Sequence, residues 1–411
     1  MRKISFVMTF LLCVACASRN TGEPLSHVQL IDRNGVNETI SHKERLDTLS
    51  QVNFLQSQPY QKVVRVFKRD GDGKILSKLT TYHPNGEIYQ YLEVKGGRAK
   101  GIYKEWHDNG QLKIEVTVME GVGDLTPDAQ TTWVFDGMSK VWDREGHVAA
   151  EFFYQKGKME GEALYYYPNG RLSKTIPYKA DKINGEKRVY SEEGDCVGKV
   201  HYSEGVKEGR SYFISPKQDE IYQRGLLMTG NYWDLDGNKV HGIREGNGFK
   251  PIFEEGALKV EQEYRGGRPE GLVKVYRRNG SLEKVYQTMD GQKEGDETFY
   301  YENGQPKLQI HWHEDEICGQ VRSWYANGKH ESEKEMVGNK KQGQYIAWYE
   351  DGSLMMYEEY ENDLLTNGKY LKRGEEIPSS RVIQGNGTVT LYDANGGFLR
   401  KVEYRKGMPF E

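Results

Sequence analysis

The chain has 411 residues and a formal net charge of −4; 36% of residues are hydrophobic, 29% charged, and glycine (47) and tyrosine (28) are both abundant. The apolar share lies below the roughly 45–50% of ordinary soluble domains, which excludes a thick aliphatic core. An aromatic share of 12% excludes the profile of a disordered chain, and the interspersed, nearly balanced charges exclude a basic footprint for nucleic acid.

In chain order, Arg2 and Lys3 precede an apolar run from Ile4 to Ala15 that ends in LLCVACAS. About twelve residues are too few to span a bilayer and fit the apolar core of a signal peptide, placed here over residues 1–15. Ala15 followed by Cys16 resembles the lipobox of bacterial lipoproteins, although Cys13 stands where that motif has Leu. The resemblance implies a lipid on Cys16, a mature N-terminus there, and anchoring in the outer membrane or at the cell surface. The alternative is a plain secretory signal cut near Ala15 or Ala17, which gives a periplasmic or secreted protein. Residues 16–40 are polar and read as a tether. Over residues 41–60, Ser41 and Glu44 match a capping box for a short helix, with Leu46, Leu49 and Val52 on one side, placed to cover the edge of the first strand.

From residue 61 to 411 the chain repeats. Turn glycines fall at Gly86 and Gly110, then Gly146, Gly170 and Gly194, then Gly256, Gly280, Gly304, Gly328 and Gly352, with steps of 24 inside each run. A second glycine stands nine residues ahead of most of them, as at Gly161 and Gly295. An aromatic stands four residues ahead, at Trp106, Trp142, Tyr166, Tyr190, Tyr276, Tyr300, Trp324 and Trp348 among others. A large residue follows eight residues after, as at Tyr178, Trp312 and Tyr360. Asn-Gly between alternating segments is a hairpin signal, and in the segment Val148 to Tyr154 the residues Val148, Ala150, Phe152 and Tyr154 read as one strand face. A lone hairpin is marginal in water, so the copies must stack. The expected fold is all-β: an elongated, single-layer antiparallel β-hairpin array of about 11–12 repeats. Each repeat adds about 10 Å, and the aromatics form one stripe whose rings bury one another. On that spacing Cys196 and Cys318 lie too far apart for a disulfide. Interruptions fall near residues 119–131, 211–247 and 362–386, the second holding a degenerate unit around YWDLDGN and irregular chain near Ile214 to Tyr222; they read as drifted copies in preference to segments that carry specific contacts.

The unit, as in YYYPNGRL followed by a Y-x-x-G such as YRGG at Tyr264 to Gly267, resembles the MORN repeat variant of bacterial proteins, including those described as YwqK-type antitoxins. The resemblance covers about Phe67 to Glu411 and implies a scaffold or binding surface. The antitoxin description implies neutralising a partner protein in the cytoplasm, and the export signal conflicts with that setting.

HWHEDE, His311 to Glu316, is the one dense set of ligand-type residues; His311 and His313 share a strand face, but a solvated face running into an acidic turn accounts for them. No nucleophile elbow, zinc-protease, Walker or dinucleotide motif occurs. The expectation is a non-enzymatic, exported, lipid-anchored repeat protein. It uses no cofactor or metal, binds no nucleic acid, and presents an extended sheet surface to an unidentified protein or an envelope glycan, the aromatic stripe being structural with a ligand-stacking groove as the alternative. An antitoxin-like inhibitor of a partner toxin and a glycan-binding surface protein are the alternatives.

Overall fold

The computed structural model describes residues 24–69 and 71–410. The signal segment and Cys16 lie outside the described residues. Thirty-seven strands and two short helices are present among the described residues. The chain divides into two compact units, one reaching to Lys182 with Glu192–Gly194, the other Ile183–Ser191 with Asp195–Glu411.

In the first unit the strands follow one another antiparallel from the edge strand Asn37–Ile40 through Leu25–Ile31, Lys62–Phe67, Leu76–Tyr82 and Ile88–Lys95. The meander continues through Arg98–Trp106, Leu112–Glu120, Gly137–Trp142, Val148–Gln155, Gly161–Tyr166 and Leu172–Lys179. The second unit repeats the pattern from Gly185–Tyr190 to Met408–Phe410, each hairpin pairing with the next. The all-β hairpin meander expected from the period is therefore present.

Two kinds of turn alternate, and each follows from its residues. At the Asn-Gly end, Gly170 donates to the Tyr167 carbonyl (2.9 Å) and Tyr167 donates to the Arg171 carbonyl (2.8 Å). Gly170 takes φ +80° while Asn169 keeps an ordinary φ, so this is a three-residue loop with its left-handed residue at glycine. The extra residue shifts the register between Tyr165 and Tyr166. At the opposite end the loops have two residues, both with positive φ, as in Ala180–Asp181 (49°, 70°), Glu314–Asp315 (50°, 64°) and Asn362–Asp363 (50°, 67°). That is the turn whose twist matches paired strands, and Asp and Asn tolerate it. Gly256 belongs to this second kind, beside Glu255 (φ 48°), because EEGA has no Asn ahead of the glycine.

Register assigns the faces. In Gly161–Tyr166, Gly161, Ala163 and Tyr165 share one face with Lys174, Ile176 and Tyr178, whereas Tyr166 points to the other. The aromatic four residues before the turn glycine and the large residue eight after it therefore lie on opposite faces. A bulge between Val148 and Ala150 likewise takes Val148 out of the row formed by Ala150, Phe152 and Tyr154.

The glycine face is packed with polar and aromatic groups where aliphatics are short. Glu220 and Glu297 are each 1% exposed. Glu220 accepts from the hydroxyls of Tyr222 (2.9 Å) and Tyr232 (2.8 Å) and pairs with Lys250 (2.5 Å). Glu297 pairs with Lys284 (3.0 Å) and Lys293 (2.6 Å) and accepts from the Trp312 indole (3.0 Å). Lysines lie over rings, Lys293 at 4.4 Å from Trp312 and Lys341 at 4.4 Å from Tyr360. Both of these buried carboxylates are thus matched, as burial in low dielectric requires.

Three expectations are corrected. Residues 25–40 are no tether; they form a hairpin whose turn, Asp32 to Val36, bonds like the Asn-Gly turns downstream. Its signal, Asn34-Gly35, was in the sequence without an aromatic four residues ahead of the glycine. The helix exists as Lys43–Ser50 but is preceded by His42 with no side-chain cap, so the Ser41–Glu44 box does not form. Rather than covering an edge, Leu46, Leu49 and Val52 pack on the sheet with Val28, Ile40, Val63 and Tyr82. The insertion expected near 119–131 is present and ordered; its Leu125, with Trp133 just beyond it, completes an apolar cluster with Leu92, Tyr103 and Val118. Within 211–247 and 362–386 the chain continues as strands, including Gln218–Gln223 and Leu364–Tyr370, as expected of copies that have drifted in sequence and kept their pairing.

Candidate functional site

The aromatic row begins with local geometry. Trp106, Trp142, Tyr166, Tyr190, Tyr276, Tyr300, Trp324 and Trp348 each close the first strand of a hairpin, just ahead of the three-residue turn, and each is half-buried. Their rings do not form a continuous stack. The ring contacts found in this row are Trp324 to His330 (centroids 5.6 Å) and His330 to Trp348 (6.1 Å). Elsewhere a hydroxyl makes the link: Tyr166 donates to Glu151 (2.9 Å) and Tyr276 to Glu261 (2.7 Å), both on the preceding hairpin. Burial, then the Glu151 carboxylate, push the Tyr166 hydroxyl up to about 12.

The row also anchors the stacking. The first residue of one turn reaches the carbonyl of the next aromatic, Tyr301 to Trp324 (2.8 Å) and Tyr325 to Trp348 (2.7 Å), with Arg277 bonded likewise to Tyr300. His83 and His107 sit 3.0 and 3.1 Å from the carbonyls of Trp106 and Trp142. Beside them the turn asparagines donate onward, Asn85 to Asp108 O (2.7 Å), Asn109 to Arg144 O (2.7 Å) and Asn303 to Ala326 O (2.8 Å). At the far end Asp181, Asp315 and Asp363 accept from the amides of Met159, Lys293 and Lys341 (2.6–2.7 Å). Both turn rows therefore tie each hairpin to its neighbour.

Between the turns the aromatic face carries cross-strand ion pairs: Lys104 with Glu115 (2.7 Å), Lys140 with Glu151 (2.7 Å) and Arg322 with Glu333 (3.1 Å). His311 and His313 do share this face, but Asp296 takes the first (2.7 Å) and Glu294 the second (3.1 Å). The Glu294 carboxylate holds His313 above the usual histidine range. Among the described residues no group of three or more His, Cys, Asp or Glu is arranged to hold a metal ion. Cys196 and Cys318 are free thiols.

The repeat pattern gave no sign of one sizeable concavity. The drifted unit around Asp234 to His241 folds over the neighbouring strands and leaves a recess of about 650 Å³. Leu235, Val240, Phe253 and Leu258 form its apolar walls, and Asp234, Asp236 and Lys239 its rim. At its base Glu261 meets His241 (2.5 Å), Tyr276 (2.7 Å) and Lys274 (3.4 Å). Burial alone raises the Glu261 carboxyl, yet the bonds from Tyr276 and His241 and the charge of Lys274 outweigh it and hold it below the usual range. Tyr276 thus joins the aromatic row to the recess.

Comparison with known proteins places the repeats. No curated protein matches the chain. Among solved structures, a Tc holotoxin pore from Photorhabdus luminescens is similar at 10% identity over 93% of this chain and 28% of that one, with a TM-score of 0.15, too low to carry an argument. The family described as MORN repeat variant matches at residues 100–118, 159–180 and 293–314. Each matched stretch begins near the second glycine of a unit or the two-residue turn before it and runs through strands of the hairpin meander. At these three places the chain thus matches MORN-variant repeats, a repeat class that suggests interaction with proteins or membranes.

Proposed function

We propose that the chain is a non-enzymatic, exported repeat protein, held at the bacterial envelope by a lipid on Cys16, whose sheet serves as an interaction surface. The observation that supports this reading most directly is the division of labour in each hairpin. Backbone, turn Asn, turn Asp and row carbonyls are committed to binding the next repeat. The side chains between the turns are free to vary, and they do: the residue one position after the second glycine is Glu162, Glu186, Leu272, Asp296, Gln320 and Gln344 in six of the copies. Such an array gives a long, patterned face with few demands on any single residue.

The test is affinity capture from an envelope fraction with the purified chain, compared with a version bearing charge reversals on the aromatic face. Recovery of an envelope protein or glycan that the reversed version loses supports the reading. A second reading, a toxin-neutralising partner protein, is favoured by the resemblance of the unit to antitoxin-type repeats. Recovery of one dedicated toxin would replace the first reading by the second.

A further inference from the structure

We infer that the aromatic face between Asp296 and Glu359 is a docking strip for an uncharged, extended β-1,4-linked glycan, with Trp324, His330 and Trp348 as its stacking platform. This deepens the interaction-surface reading and rests on it. Trp324 and Trp348 occupy the same place in successive repeats, and the exposed His330 ring bridges them at 5.6 and 6.1 Å. Two inter-strand spacings set the tryptophans roughly 10 Å apart. That distance is close to one disaccharide step of an extended β-1,4-linked chain, so alternate sugars meet successive rings. The apolar C–H face of a pyranose is a natural cover for a half-buried indole.

Next to the platform lies a shallow depression of about 90 Å³ lined by Gln320, Glu333, Lys334, Glu335, Gln344 and Ile346. Gln320 and Gln344 are equivalent positions of neighbouring repeats, so their amides recur at the same period as the rings. Charge complementarity selects the ligand class. Arg322 is committed to Glu333 and to the Gln320 carbonyl oxygen, and Glu335 has no basic partner among the described residues. The strip therefore offers the Glu335 carboxylate and the Gln344 amide to hydroxyl and acetamido N–H donors.

The test uses the full chain with Cys16→Ala, so that it stays soluble, titrated with chitohexaose and cellohexaose, with maltohexaose as the α-linked control. The expected result is tryptophan fluorescence change and calorimetric binding for at least one β-linked hexamer, at least tenfold tighter than for maltohexaose. Trp324→Ala and Trp348→Ala should each weaken it at least tenfold with far-ultraviolet circular dichroism unchanged. Should either variant fail to fold, the indole N–H resonances of Trp324 and Trp348 in the unaltered repeats serve instead, and they must shift on adding the hexamer. Absence of binding at millimolar sugar, equal binding of maltohexaose, or shifts confined to other tryptophans would overturn the inference. Capture of an envelope protein without glycan binding would overturn it while leaving the interaction-surface reading standing.

Discussion

Asn303 holds its own turn by accepting from the Gln305 amide (3.0 Å) and holds the next by donating to the Ala326 carbonyl (2.8 Å). Asn303→Ala loses both bonds and should cost about 1–2 kcal/mol of local stability. Asn303→Asp keeps the acceptor and loses the donor, so it should fall between wild type and Ala. Native-state hydrogen exchange in the adjoining hairpins reads the difference, and equal protection in all three chains would show that the inter-turn bond contributes nothing. Glu297 gives a pH-dependent counterpart. Burial raises its carboxyl, but Lys293 and Lys284 outweigh burial and hold it below the usual range. A lowered native value means stability that is fully present above the unfolded value of about 4.3 and is lost as pH falls through the native one. Glu297→Gln should remove that part of the acid dependence of the thermal midpoint and lower stability at neutral pH, because two ammonium groups lose their partner. An unchanged acid profile would show that the Lys pairs do not hold the carboxyl down.

At the scale of the hairpin, the two turn types make separable predictions. Asp315 adopts φ 64° and accepts from the Lys293 amide (2.7 Å). Asp315→Gly relieves the backbone and loses the bond, whereas Asp315→Ala loses the bond and adds about 1 kcal/mol of left-handed strain. Ala should therefore be the worse of the two by urea denaturation, and the reverse order would refute the turn assignment. The hairpin was legible from Asn-Gly and period-2 segments, because turn chemistry and alternation are local. What each face carries was not legible: the extra residue in every three-residue turn moves Tyr166 to the face opposite Tyr178, and spacing alone cannot register a bulge. The hairpin at 25–40 went unread because Leu30 and Ile31, not an aromatic, precede its Asn-Gly. The ion-pair ladders and the recess beside Glu261 depend on cross-strand register and on a drifted copy, neither of which repeats in the sequence.

For the molecule as a whole, contacts run between successive hairpins, so loss of one copy should be tolerated if the flanking ones can pair. Excision of residues 295–318, one period, places Gly319 where Gly295 stood, with Asp315 replaced by Asp290-Gly291 in the preceding turn. The shortened chain should keep its circular dichroism and lose little thermal stability; cooperative unfolding throughout would contradict nearest-neighbour stacking. The central claim, however, is that this sheet is displayed at the envelope by a lipid on Cys16. Expression in a bacterial host with labelled fatty acid, followed by fractionation and detergent-phase partitioning, tests it most directly. The account predicts a labelled chain in the envelope fraction and the detergent phase, and an unlabelled Cys16→Ala chain in the aqueous phase. A wild-type chain that is unlabelled and partitions as Cys16→Ala does, or that stays in the cytoplasm, would contradict it.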